Sequence, residues 1–157
     1  IRDSAIRPNQ IFAVSLPYPM LSKAQQRRVV DVVKEHLLTP RGLRSLSPKD
    51  KDYSGRYCGN PYERDRAYHQ GTVWAWLIGP YISAFAKAYA GEKDTIQYIK
   101  RLLLPFHEHL FEAGLGTISE IFDGDSPHIP RGCISQAWSV GEILRAYFEH
   151  VHGLEND

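Results

Sequence analysis

The sequence predicts an all-α fold, on three observations. Apolar residues recur at helical spacing through most of the chain, capping and breaking residues bracket those runs, and no convincing strand exceeds a few residues. A short helix is predicted over Asn9 to Leu16. From Ser22 to Leu38 the apolar positions Ala24, Val29, Val32, Val33 and Leu37 form one stripe, with Ser22 as N-cap and Pro40 as the stop. A helix from about Tyr68 to Ala90 carries Val73, Trp74, Leu77, Ile78, Ile82, Phe85, Ala86 and Tyr89, and closes on Gly91. Pro80 inside that run is expected to kink or split it. The next helix covers about Lys93 to Ala113 with Pro105 as a bend, and the last runs from near Cys133 to His150 through Ala137, Trp138, Val140, Ile143, Leu144, Tyr147 and Phe148. No internal repeat or low-complexity tract interrupts the chain.

Composition narrows the class. At 157 residues, 43% hydrophobic and 24% charged, the chain has room for one domain with a real core and is not a disordered tail. Nineteen basic residues against eighteen acidic ones leave no electrostatic footprint for gripping phosphates, so no nucleic-acid partner is expected. No apolar run approaches the roughly 18 residues that cross a bilayer, and no signal peptide is expected at the start. Cys58 and Cys133 cannot build a disulfide framework; they read as buried small hydrophobes of a reducing compartment. The chain opens Ile1-Arg2-Asp3 without an initiator Met, which predicts a piece of a longer polypeptide.

Two connections are too long for simple linkers. Residues 39–67 hold only Leu43 and Leu46 as large aliphatics, and residues 114–132 read G-L-G-T-I-S-E-I-F-D-G-D-S-P-H-I-P-R-G. Most connections run about 4–6 residues, and long ordered ones are usually functional. The helices therefore read as scaffold and the loops as the site.

The second loop carries Glu120, Asp123 and Asp125, with no cation nearer than Arg131. Glu120 sits among Ile118, Ile121 and Phe122, where partial desolvation can tune a carboxylate for general catalysis; a hydrated loop acid is the alternative. Asp123 and Asp125 read as turn and capping residues, since the remaining ligands of a calcium loop are missing. In the first loop and the helix after it, Arg56, Tyr57, His69, Gln70, Trp74 and Trp76 offer flat rings edged by hydrogen-bonding groups, which suits the C–H faces and hydroxyls of a sugar. On a helix, Trp74 and Trp76 would diverge by about 200°, leaving one of them as core. His107 and His109, like His150 and His152, are spaced i and i+2, which does not share a helix face, so helix-surface or helix-end histidines are expected and no metal site.

Six ordered segments carry a resemblance: R-P-N-Q-I-F-A-V-S-L-P (7–17), L-L-T-P-R-G-L-R-S-L (37–46), G-R-Y-C-G-N-P-Y (55–62), Y-H-Q-G-T-V-W-A-W-L-I-G-P (68–80), G-L-G-T-I-S-E-I-F-D-G-D (114–125) and P-R-G-C-I-S-Q-A-W-S-V (130–140). Together, from about residue 7 to 150, they resemble the C-terminal glucosidase region of glycogen debranching enzymes. Family members usually carry Pro where this chain has Ala75, a change expected at the helix start and not in the chemistry. The resemblance implies an (α/α)6 barrel and amylo-α-1,6-glucosidase activity on the branch stubs of glycogen limit dextrin, with a cytoplasmic location and no cofactor. A more distant similarity to glucoamylases implies Arg56 as a substrate-binding residue, Glu120 as the general base and Trp138 as a sugar platform. Tyr57, His69, Gln70 and Trp74, singled out above by their own chemistry, complete the expected sugar site.

Twelve helices at the spacing seen here would take about 370 residues, so residues 1–157 are expected to be the C-terminal half of one barrel domain. In the family the catalytic acid lies upstream. The isolated chain is therefore expected to be inactive and prone to self-association, its natural partner being the upstream remainder of the same polypeptide. The alternative is a helical carbohydrate-binding or scaffold module without catalysis.

Overall fold

The computed structural model describes residues 3–18 and 20–152. A 3-10 turn at Pro8–Ile11 runs into α1 (Phe12–Ser15), and α2 (Lys23–His36) follows. Ser22 and Gln25 close a reciprocal capping box at the start of α2: the Ser22 hydroxyl accepts the Gln25 N–H, and the Gln25 side chain accepts the Ser22 N–H at 2.9 Å. The helix ends before Pro40 is reached, because the chain turns into a hairpin of β1 (Leu38–Thr39) and β2 (Gly42–Arg44). Gly42 has φ +126°, and a Cβ there would lie 2.3 Å from the Trp74 carbonyl oxygen, so only glycine fits.

The segment 39–67 is thus no plain loop. Besides the hairpin it holds α3 (Pro61–Tyr68), capped by Asn60 and Glu63 with Pro61 at its first position. The helix expected from Tyr68 to Ala90 is in fact three pieces: β3 (Val73–Trp74), a 3-10 turn at Ala75–Leu77, and α4 (Ile78–Ala88). Pro80 consequently sits in the first turn of α4, where its missing N–H is harmless, and it neither kinks nor splits a helix. Then come α5 (Thr95–His109), which continues through Pro105, β4 (Ile121–Phe122), β5 (Pro130–Arg131) and α6 (Ala137–His150).

The five short strands form one antiparallel sheet in the order β1-β2-β3-β4-β5, so the fold is about half helical and not purely α. Strands this short escape a search for period-two patterning. Their consequence for the site is direct: β3 pairs with β4 (Val73 with Phe122, Trp74 with Ile121), which draws the two long connections together.

The core gathers around α4, where Ile78, Tyr81, Ile82, Ala84, Phe85 and Ala88 are all buried, against Val30 and Val33 of α2 and Ile11 and Val14 of the N-terminal turn. The face of α5 and α6 differs. Leu104 and Leu144 are each more than half exposed around an open apolar groove of about 480 Å³. Cys58 and Cys133 are free and exposed, contrary to the buried placement expected of them. His109 lies at a helix end, one of its two expected placements, but is fully buried.

Candidate active site

Glu120 enters β4 from a stretch laced to the segment after β5. Its N–H donates to the Cys133 carbonyl at 3.0 Å, and the Gln136 N–H donates to the Ile118 carbonyl at 3.0 Å. The carboxylate has donors on both oxygens: the Tyr68 hydroxyl on Oε1 at 2.5 Å and the Cys133 N–H on Oε2 at 2.8 Å. Gly132, at φ +66°, makes that approach possible, since a Cβ there would lie 2.3 Å from Oε2. Burial pushes the Glu120 pKa up, but the hydrogen bonds from Tyr68, Cys133 and Gln136 outweigh it and hold the group below the ordinary glutamate value. Its own burial, and then the same contact, push the Tyr68 phenol well up, so it stays a donor. The ionised form of Glu120 is thus favoured by neutral donors; neither Arg56 nor Arg131 holds it.

Both arginines instead turn to the far end of β4. Asp123 is fully buried, accepts from the Tyr57 N–H at 2.9 Å and from Arg131 Nη2 at 3.2 Å, and has Arg56 at 3.9 Å. Asp123 therefore ties the two long connections together, a larger part than the turn residue expected. Asp125 accepts from the Tyr53 hydroxyl at 2.9 Å and faces Arg56 at 3.6 Å, and Arg56 also donates to the Ser126 carbonyl at 3.1 Å.

Beside Glu120 an aromatic wall runs without a break. The Tyr57 and Tyr68 rings lie 5.9 Å apart, Tyr68 meets Trp74 edge-on at 4.7 Å, and His69 stacks on Trp74 with planes 2° apart. Trp74 meets Trp138 edge-on at 5.8 Å, and Trp76 stacks on Trp138 at 5.0 Å. Trp74 lies on β3 and Trp76 on the 3-10 turn, so the helical divergence expected of the pair does not apply and both reach Trp138. A cavity of about 360 Å³ opens on this wall, lined by His69, Trp74, Trp76 and Trp138 together with Arg7 and Phe12.

Of the residues singled out in the sequence, Tyr57, His69, Trp74, Trp138 and Glu120 thus form one connected group. Arg56 joins it through Asp123 and the Tyr57 backbone. Gln70 lies to one side, its side-chain oxygen accepting from Arg7 Nη2 at 2.7 Å. Sequence reasoning overlooked Tyr68, Arg7 and the Cys133 backbone. Tyr68 lay in plain view as the first residue of the Y-H-Q-G segment, but its partner is 52 positions away. Among the described residues, no three His, Cys, Asp or Glu side chains gather as a metal site, and no helix is long and apolar enough to cross a membrane.

A carboxylate kept ionised by neutral donors, beside stacked aromatic faces and at the meeting of two long connections, is the kind of site that handles sugars in glycoside hydrolases. The family comparison is specific: residues 1–145 match the model of the amylo-alpha-1,6-glucosidase family, and the chain belongs to that family. It is similar to the glycogen debranching enzyme of Saccharomyces cerevisiae, with 25% identity over 174 residues, covering 99% of this chain and 11% of the yeast protein. The chain thus spans about a tenth of the length of that curated relative.

Proposed function

We propose that this chain is the C-terminal part of an (α/α)6 glucosidase domain that removes α-1,6-linked glucose stubs from glycogen limit dextrin with inversion, and that Glu120 is its general base. The observation that carries the reading is the Glu120 carboxylate, held ionised by Tyr68 and the Cys133 N–H beside the Trp74–Trp138 wall. An ionised carboxylate there can take a proton from a water molecule as that water attacks the anomeric carbon. The aromatic faces orient the ring, and His69 and Arg56 supply polar edges for hydroxyls.

Inversion needs a second carboxyl group about 6.5–9.5 Å from the base, protonating the leaving oxygen. Asp123 and Asp125 are engaged with Arg131, Arg56 and Tyr53, so we assign the acid to the remainder of the parent polypeptide. The open apolar groove on α5 and α6 agrees with a barrel completed by that remainder, and the isolated chain is then inactive and self-associating. The working location in this reading is the cytoplasm, where glycogen is handled.

The test is glucose release from limit dextrin by the complete polypeptide and its Glu120→Gln variant, with the anomer of the first product read by NMR. β-Glucose from the parent and its loss in the variant support the assignment. Oligosaccharide binding without hydrolysis by the parent selects the non-catalytic sugar-binding module instead.

A further inference from the structure

The residue before Glu120 is gripped by a histidine that the reaction itself does not use. His109 is the last residue of α5 and fully buried, and Ser119, 1% exposed, lies against it. The Ser119 backbone N–H points at His109 Nε2 at 3.2 Å, and the Ser119 hydroxyl lies 3.1 Å from the same nitrogen. A backbone N–H only donates, so Nε2 must be bare and the ring proton sits on Nδ1. There it is donated to the Glu112 carboxylate at 2.9 Å. That hydrogen bond from His109 is the largest influence on the Glu112 carboxyl, and with Arg41 it holds the group below the ordinary glutamate value. Arg41 anchors the far end, 2.6 Å from Glu112 Oε1 and 2.6 Å from the Pro105 carbonyl. The Phe122 ring meets the imidazole edge-on at 4.9 Å and packs against it.

We propose that His109 is the positioning residue of Glu120: a single-tautomer acceptor, locked by Glu112 and Arg41, that fixes the Ser119 backbone and with it the aim of the carboxylate. The inference rests on the reading of Glu120 as general base. Glu120 reaches its own donors only if its backbone stays in register. Ser119 is the residue next to Glu120 at which the chain is held from the α5 side, besides the Cys133 and Gln136 contacts and the earlier Gly116 N–H to Leu110 carbonyl bond.

The experiment uses the complete polypeptide with His109→Asn, His109→Gln and Glu120→Gln measured together. Glutamine can place its amide oxygen near the position of Nε2 and accept the Ser119 N–H; asparagine is too short to do so. His109→Asn should lower kcat by about 10- to 100-fold, the range expected when a reacting group is misplaced by up to about 1 Å, with KM unchanged. His109→Gln should recover most of that loss at a similar melting temperature. Should His109→Asn not fold, Glu112→Ala frees the ring from a half-exposed side chain and should lower kcat in the same way, less deeply. Equal kcat for the two His109 variants overturns the proposal, as does a KM rise matching the kcat loss, or an unchanged kcat in Glu112→Ala. Near-normal turnover in Glu120→Gln is a separate failure, since it removes the base itself.

Discussion

The two ends of strand β4 hold carboxylates three positions apart in opposite surroundings. Before the strand, Glu120 is partly open and accepts from neutral donors, among them the Tyr68 phenol and the Cys133 N–H. After it, Asp123 is fully buried and faces two guanidinium groups and the Tyr57 N–H. Neutral donors can favour the ionised form while leaving the carboxylate able to take a proton in passing. The charge-assisted hydrogen bonds from Arg131, with Arg56 close by, make Asp123 a structural tie. One end of the strand is therefore suited to proton transfer, and the other to joining the two long connections.

The largest effect should come from Glu120→Gln. A general base contributes about 10²–10⁴-fold, so kcat for glucose release by the complete polypeptide should fall in that range with substrate affinity little changed. If Asp123→Asn lowers kcat more than Glu120→Gln does, the division of roles is reversed.

Next is stability at the other end of the strand. Asp123→Ala leaves Arg131 and the Tyr57 N–H without their acceptor. Breaking a buried ion pair costs about 3–5 kcal/mol, and the lower end applies because Arg131 is partly exposed. Thermal unfolding reads this directly, while Glu120→Gln should shift the midpoint far less.

Tyr68→Phe sharpens the comparison through pH. The folded pKa of Glu120 is depressed, so the base works in its ionised form and activity falls as pH drops through that folded value. Removing the Tyr68 donor raises the folded pKa, and the acid limb of the kcat profile should move to higher pH. A limb that stays in place would show that Tyr68 does not tune the base.

Trp138→Ala should raise KM for dextrin several-fold, since aromatic contacts contribute about 0.5–1.5 kcal/mol each beyond the area they bury. Asp125→Asn should be the mildest change. Its Arg56 pair is about half open to water on both sides, and such pairs contribute about 0–1 kcal/mol.

Much of the scaffold was legible in the residues. The N-cap of α2 stands where the spacing puts it, but its stripe holds only in part: Val33 and Leu37 are buried, Ala24 is exposed, and Val30 outside the stripe is buried; α5 and α6 run within their expected ranges with trimmed ends. The five-stranded sheet was not legible, because strands of two or three residues carry no measurable alternation. Pro80 misled for a related reason: β3 pairing ends the extended chain at Trp74, so α4 starts late enough to put the proline in its first turn. His109 reads in the sequence as a helix-surface or helix-end histidine; it ends α5, and only the packing of Ser119 and Phe122 against it shows that it is buried.

By itself the sequence determined the properties that depend on neighbours along the chain: helical stripes, caps, breakers and the segments that mark the amylo-alpha-1,6-glucosidase family. It also singled out Glu120 among apolar neighbours, yet left open what would set its ionisation. Tertiary structure decided that, because a carboxylate's pKa depends on the charges and donors within a few ångströms in space. The donors on Glu120 come from Tyr68, 52 positions away, and Cys133, 13 positions away. The nearby arginines, which could have held it, are turned to Asp123 by the pairing of β3 with β4 and β4 with β5.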